Sequence, residues 1–436
     1  MHIWYIHHYG GGPGIGLYDR PYQLAKAWQH LGHSATIFIA EHHHLLEASW
    51  TPQPDWYVDG VRYISVPARP YSGNGMLRLL NIWDFSKNLY RAGQDVQPAV
   101  PPPDAIIVSS PHPFSIFSAH ALARRYGAKL VFEIRDIWPL SITEIMGTSR
   151  LHPFVQMCAA AERFALKHSD LVASVLPRAD RYLADRGYGD KPFVWVPNGV
   201  GKTEHGRRDS FASEEAHRAY VQLENWRSQQ RTTIIYVGSI GKPNAVDLLV
   251  SAMALGNSRG FGDIYSVMIV GKGDSLEDLK NDSIVKNMNN VYFSGRIPKC
   301  DALNLLFNAD IGYAGLRNIE NLFCYGVSPN KIADYFSASL PTFLPLSPCG
   351  DPVSESGGGI ARRAETPEEV WKALQELILM PPSARRSLGE KGKEYMRREY
   401  DYDRIARRYV EAIQDCVSGD VNGGCGLRGQ RQAQLQ

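Results

Sequence analysis

Short apolar runs alternate with stretches of helical period along most of the chain. In the first half, His2 to His7, Thr36 to Ala40, Ala105 to Ser109, Lys129 to Ile134 and Leu171 to Val175 are near-continuous apolar runs, the pattern of strands buried on both faces. Between them Tyr18 to Leu31, Phe114 to Tyr126 and Leu151 to Lys167 repeat as helices do. Such alternation predicts a parallel sheet with helices on both faces. From Gly199 to Arg231 the pattern gives way to polar and charged sequence, with Glu214 to Gln229 as a surface helix, which predicts a connection carrying an insertion. A second series follows, with strands at Thr233 to Val237, Ser266 to Val270, Val291 to Ser294, Ile311 to Ala314 and Thr342 to Leu344. Its helices lie near Ala245 to Ala254, Cys300 to Phe307, Asn330 to Ser337, Pro367 to Leu379 and Ser383 to Arg398.

The pattern therefore predicts an α/β chain of two doubly wound, Rossmann-like domains, residues 1–198 and 199–400, with 199–231 as linker. A last helix within 401–418 is expected to pack back on the first domain. The Gly- and Gln-rich tail 419–436 has too few apolar residues to offset the entropy of ordering and is expected to be disordered.

Composition narrows the function. A formal charge of +2 offers no global attraction for nucleic acid, and no nucleic-acid-binding signature appears. The six cysteines are scattered with no zinc spacing, which suits a reducing cytoplasm. No basic segment leads into an apolar leader and no run approaches about 18 apolar residues, so the chain is expected to be neither secreted nor membrane-spanning.

In open parallel sheets ligands bind beyond the carboxyl ends of strands, and every informative motif falls there. Gly10 to Gly16, containing Gly12, Gly14 and Gly16, follows the first strand and could bring backbone N–H groups to a phosphate or an acceptor; a bare turn is the alternative. Gly241 and Lys242 follow the first strand of the second half, leading into a helix at Asn244. Val270 to Asp274 repeats the arrangement and reads as structural, with Asp274 as helix cap. In GVSPNK, Gly326 to Lys331, Ser328 can cap a helix with Pro329 at its first position, leaving N–H groups for a diphosphate, and Asp334 can accept from ribose hydroxyls. Arg317 ends the loop after the preceding strand and can reach the same phosphates.

In the first half Arg135 and Asp136 end a strand, as does His112 in SSPHP; all three are catalytic candidates, with capping and loop roles as the alternatives. Glu133, inside its strand, is a candidate ion-pair partner. His42, His43 and His44 are consecutive and cannot converge on one ion, so no metal is expected there. Met76 to Arg91 is a helix with Met76, Leu79, Leu80, Trp83 and Leu89 apolar and Arg78, Lys87 and Arg91 elsewhere around it; it either docks on a membrane surface or packs on the sheet.

The order of YVGSIG, MIVGKGD, NVYFSGRIPKCDALNLLFNADIGYAGL and GVSPNKIADYFSASLP resembles the nucleotide-sugar domain of family 4 GT-B glycosyltransferases, and PNGV (Pro197 to Val200) resembles their hinge. HHYGGGPGIG and FEIRDIWP look like the acceptor domain, nearest to transferases of bacterial O-antigen and capsule assembly. The resemblance implies two domains facing across a cleft, and retaining transfer without cofactor or metal. The donor would be a nucleotide sugar, with UDP the expected nucleotide, and the acceptor a glycan on polyprenyl diphosphate. It also implies a cytoplasmic protein with peripheral membrane contact. Gly295, Arg296 and Ile297 would hold the base, Asp334 the ribose, and Gly241, Lys242, Arg317, Ser328, Pro329, Asn330 and Lys331 the diphosphate. Where many relatives carry a spaced pair of glutamates, this chain has Gly326 and Asp334, which leaves the sugar contact open, with Glu320 and Glu355 as alternatives. A sugar-nucleotide epimerase of the same fold, a non-catalytic assembly partner and an NAD enzyme are the rival readings.

Overall fold

A computed structural model describes residues 1–73, 75–96, 101–201 and 210–418. The tail expected from residue 419 and the linker positions 202–209 lie outside the described residues. The chain divides into two compact units, Met1–Gly201 with Asp401–Gln436, and Lys202–Tyr400.

The first unit is built on eight strands: β1 (His2–Ile6), β2 (Ser34–Ala40), β3 (Asp55–Val58), β4 (Val61–Val66), β5 (Ala105–Ser109), β6 (Lys129–Ile134), β7 (Leu171–Ser174) and β8 (Phe193–Trp195). Their order across the sheet is β3-β4-β2-β1-β5-β6-β7-β8, parallel throughout except for β3, which pairs antiparallel with β4 at the edge. β1 and β5 are buried along their whole length, and β6 from Leu130 on, because helices cover both faces, which is why they read as apolar runs. The β3–β4 hairpin went unread in the sequence: β3 is four residues long and mostly outside the core, and the reversal rests on Asp59 and Gly60, both at positive φ.

Helix Met76–Gln94 forms as its period predicts but presents two faces. Ile82, Phe85, Ser86, Leu89 and the buried Asn81 turn inward, so Leu89 belongs to the core side. Met76, Leu77, Leu79 and Trp83 face solvent, Trp83 being 60% exposed. Lys87 and Arg91 follow Trp83 at steps of one turn along that exposed stripe, whereas Arg78 turns to the Tyr9 hydroxyl at 3.3 Å. Helix Tyr402–Ser418 belongs to the first unit, where Ile405, Tyr409 and Ile413 enter the same core as Ile3, Tyr5 and Trp28.

The second unit has six strands, all parallel: β9 (Thr232–Val237), β10 (Tyr265–Val270), β11 (Val291–Gly295), β12 (Ile311–Tyr313), β13 (Thr342–Leu344) and β14 (Gly359–Ala361), in the order β11-β10-β9-β12-β13-β14. Helix Glu214–Ser228 is a structural part of this unit and not a surface connection. Ala216, Ala219, Leu223 and Trp226 are buried against β9 and β11, and Asp301 accepts from the backbone of Ala212 and Ser213 at 2.9 Å where the helix begins. The polar average of this segment hid one apolar stripe. The expected cap at Asp274 is displaced to Ser275, and the helix after β9 starts at Val246, behind a short 3-10 turn over Lys242–Asn244.

In both sheets the chain leaves one central strand to either side. β1 lies between β2 and β5, and β9 between β10 and β12. The connections from β1 and β9 leave toward opposite sides at these two switch points, the places where open α/β sheets hold their ligands.

Candidate functional site

At the second switch point helix Asn330–Ser337 is seated by one side chain. The buried Tyr335 hydroxyl accepts the backbone N–H of Val237 at 3.0 Å and donates to the carbonyl of Tyr313 at 3.1 Å, joining the ends of β9 and β12 where the strands part. Its ring lies where a Cβ on Gly312 would come within 2.5 Å, so only glycine lets the helix settle so close to β12. One turn earlier on the same face stands Lys331. Its Nζ donates to Asn244 Oδ1 at 3.0 Å and to the Gly315 carbonyl at 3.3 Å, one from the loop after β9 and one from the loop after β12, and it lies 4.7 Å from the centre of the Tyr236 ring. Burial pushes its amine down to about 8, and the groups that receive its hydrogen bonds, the Asn244 amide oxygen, the Gly315 carbonyl and the Tyr236 hydroxyl, are all neutral.

Asp334 is half-buried beside Lys331, and desolvation raises its carboxyl to about 6 against the opposing pull of Lys299. The helix start differs from the expectation. Pro329 is itself the N-cap, with Asn330 the first helical residue, and no side chain caps the helix. Ser328 lies one residue before that cap and does not cap the helix. The uncapped start still directs the positive end of the helix toward the loop.

The remaining donor candidates divide. Gly241, Lys242 and Arg317 line a separate 440 Å³ pocket together with Asp247, Asp278 and Asp282. Arg317 does not reach toward Lys331: its guanidinium pairs with Asp247, in the first turn of the helix after β9, and its Nε donates to the Lys242 carbonyl at 3.0 Å. Gly295, at the end of β11, has φ +75 and accepts from the Gly271 N–H at 2.9 Å, while Arg296 is exposed and Ile297 partly so. Glu320 is exposed, and Glu355 accepts from the Tyr395 hydroxyl.

At the first switch point His8, after β1, is hydrogen-bonded to His112, after β5, at 2.7 Å, and the other nitrogen of His8 meets Asn81 at 2.8 Å. Burial holds the His112 imidazole down at about 3, with Arg78 adding to the effect, so it is neutral and committed to its neighbour. The glycine loop is closed on itself. Gly12 and Gly16 exchange hydrogen bonds at 3.3 and 3.2 Å, and Gly11 donates to the Tyr18 carbonyl at 2.8 Å. The N–H groups expected to be free for an anion are thus largely spent, and Gly14, at φ +69, is the solvent-facing tip. Asp136 is exposed at the end of β6. Arg135 lies 4.6 Å over the Tyr18 ring and donates to Asn198 Oδ1 at 3.3 Å. Glu133 is a buried ion-pair partner, held by Arg20 at 3.0 Å. Among the described residues no group of His, Cys, Asp or Glu side chains gathers as metal ligands would; His43 bonds the Gly10 carbonyl and His44 the Tyr71 hydroxyl.

Two parallel sheets, each with a switch point, match known structures over almost the whole chain. Sucrose-phosphate synthase from Thermosynechococcus elongatus aligns with TM-score 0.68 at 16% identity, over 96% of this chain and 99% of that one. The fold is that of the GT-B glycosyltransferases. WaaG, a glycosyltransferase involved in lipopolysaccharide biosynthesis, aligns with TM-score 0.61 at 15% identity over 94% and 99%. HepE from Anabaena, solved in complex with UDP, aligns with TM-score 0.62 at 12% identity over 95% and 100%. Residues 16–199 match the family model of the glycosyl transferase 4-like domain, which falls within the first unit of this GT-B chain. No curated protein matches the sequence.

Tyr236, Asn244 and the Gly315 carbonyl complete the Lys331 site; they lie in segments legible in the sequence, but only the meeting of two loops makes them neighbours.

Proposed function

We propose that this chain is a retaining, metal-independent glycosyltransferase that moves a hexose or N-acetylamino sugar from a UDP-linked donor to a hydroxyl of a lipid-linked glycan. The observation that carries the reading is the Lys331 ammonium, desolvated at the switch point of the second sheet beside an uncapped helix start. Transfer breaks the bond between the anomeric carbon and the diphosphate oxygen, forms one to the acceptor oxygen, and releases UDP and the hydroxyl proton. Negative charge grows on the departing diphosphate, so a fixed cation and helix dipole stabilise the transition state more than the ground state. Asp334 would receive the ribose hydroxyls, the strand end at Gly295 to Ile297 the base, and Asp136 the acceptor's proton. The likeness to a protein solved with UDP and to one acting in lipopolysaccharide synthesis supports this choice of donor and acceptor.

Lys331→Ala should lower turnover by about a hundredfold or more with unchanged circular dichroism, and wild-type turnover should persist in EDTA. Collapse in EDTA, or an active alanine variant, defeats the mechanism. Product formed with no acceptor present would indicate an epimerase instead.

A further inference from the structure

Trp195 to Asn198, the end of β8 and the start of the crossing by which the chain leaves the first unit, is gripped by arginines at every residue. Arg408 donates to the Trp195 carbonyl at 3.2 Å, Arg20 to the carbonyls of Val196, at 2.9 Å, and Pro197, and Arg135 to Asn198 Oδ1 at 3.3 Å. Arg20 is fully buried and its charge is matched by Glu133, itself held by the hydroxyls of Tyr5, Ser109 and Tyr409. That anchor is wholly buried. Arg135 differs, because its guanidinium also lies on the ring of Tyr18, a residue whose backbone carbonyl closes the glycine-rich loop by accepting from Gly11. Just beyond Asn198 the crossing meets its return. Val200 pairs with Asp401 in an isolated parallel bridge, and a Cβ on Gly199 would fall 2.5 Å from the ring of Tyr402.

We infer that Arg135 is a positioning residue, not a catalytic one: its guanidinium links the glycine-rich loop, through the Tyr18 ring, to the chain crossing at Asn198, so that the loop's conformation and the crossing's are set together. The planar guanidinium is what allows one group to lie flat on a ring and donate in its own plane, and a lysine ammonium has no such plane. The Tyr18 hydroxyl has no hydrogen-bond partner and is shielded from solvent, so the ring alone makes the link.

Amide hydrogen exchange of the full chain without ligand, read over Asn198 to Gly201 and Asp401, tests the link independently of any activity. Arg135→Lys, Asn198→Ala and Tyr18→Leu should each speed exchange there by about tenfold, with Tyr18→Phe like wild type. The double variant Arg135→Lys with Asn198→Ala should be no worse than the worse single one, since both break one chain of contacts. The second arm rests on the transferase reading: turnover should fall about tenfold in Arg135→Lys and Asn198→Ala, with the donor KM within about twofold of wild type. Unchanged exchange overturns the inference whatever the turnover. Faster exchange with full turnover overturns the positioning role, and if no transfer is detected in wild type the transferase reading fails while the exchange result stands.

Discussion

Lys331 and Asp334 sit on one short helix, and burial moves their pKa values toward each other, to about 8 and about 6. Desolvation disfavours the ammonium and the carboxylate alike. If the ammonium meets diphosphate and the carboxylate meets ribose, donor affinity should be greatest between those values. Below about 6 Asp334 takes a proton and loses acceptor strength, and above about 8 Lys331 loses the charge that attracts phosphate. Calorimetric titration with UDP at a series of pH values checks this, and a flat profile from pH 5 to 9 would remove both residues from the site. The sign for the empty protein is opposite on the lysine side. Its folded pKa is depressed, so stability declines as the pH falls from the ordinary 10.5 to about 8 and stays lower beneath it. A bound diphosphate relieves that cost, so UDP should raise the thermal midpoint more at pH 7 than at pH 9.5.

Helix Met76–Gln94 shows what an element-level pattern can and cannot separate. Period alone identifies a helix, but two apolar stripes share it, and the sequence does not say which one meets the sheet. Asn81 decides it against hydropathy: it enters the core because it bonds the carbonyls of His42 and Arg69 at 2.9 and 2.7 Å. Met76, Leu79 and Trp83 are left outside with Lys87 and Arg91, an arrangement suited to an anionic lipid surface. Trp83→Ser should weaken co-sedimentation with anionic vesicles severalfold while shifting the unfolding free energy by no more than about 0.5 kcal/mol. Phe85→Ala, on the buried side, should cost about 3–5 kcal/mol. Equal vesicle binding by Trp83→Ser and wild type would dismiss the membrane role.

At the scale of the molecule, Glu133 collects residues from across the first unit. Tyr5, Arg20, Ser109 and Tyr409 all reach its two oxygens, and Arg20 carries the connection on to the first chain crossing. Replacing it with glutamine leaves a fully buried guanidinium without its counter-charge, so Glu133→Gln should lose about 3–5 kcal/mol in urea denaturation. A loss under about 1 kcal/mol would show that water replaces the carboxylate. Most strands and helices were legible in the sequence because burial on both faces leaves a local trace, an apolar run or a three-to-four repeat. The β3–β4 hairpin and the buried stripe of Glu214–Ser228 were not, one being too short and half exposed and the other averaged away by its charges.

By itself the sequence determined the two α/β series, the strand ends where chemistry can gather, and the residue types able to meet a diphosphate, since all of these follow from local period and side-chain chemistry. Only the tertiary structure decided which of those residues act together. It brought Lys331 to Asn244 and Gly315, gave Arg317 to Asp247, turned His112 inward to His8, and made Arg135 a neighbour of Tyr18 and Asn198. The physical reason is that a charged or polar side chain takes the nearest partner that lowers its desolvation cost. Which partner is nearest depends on strand order, which no local pattern encodes.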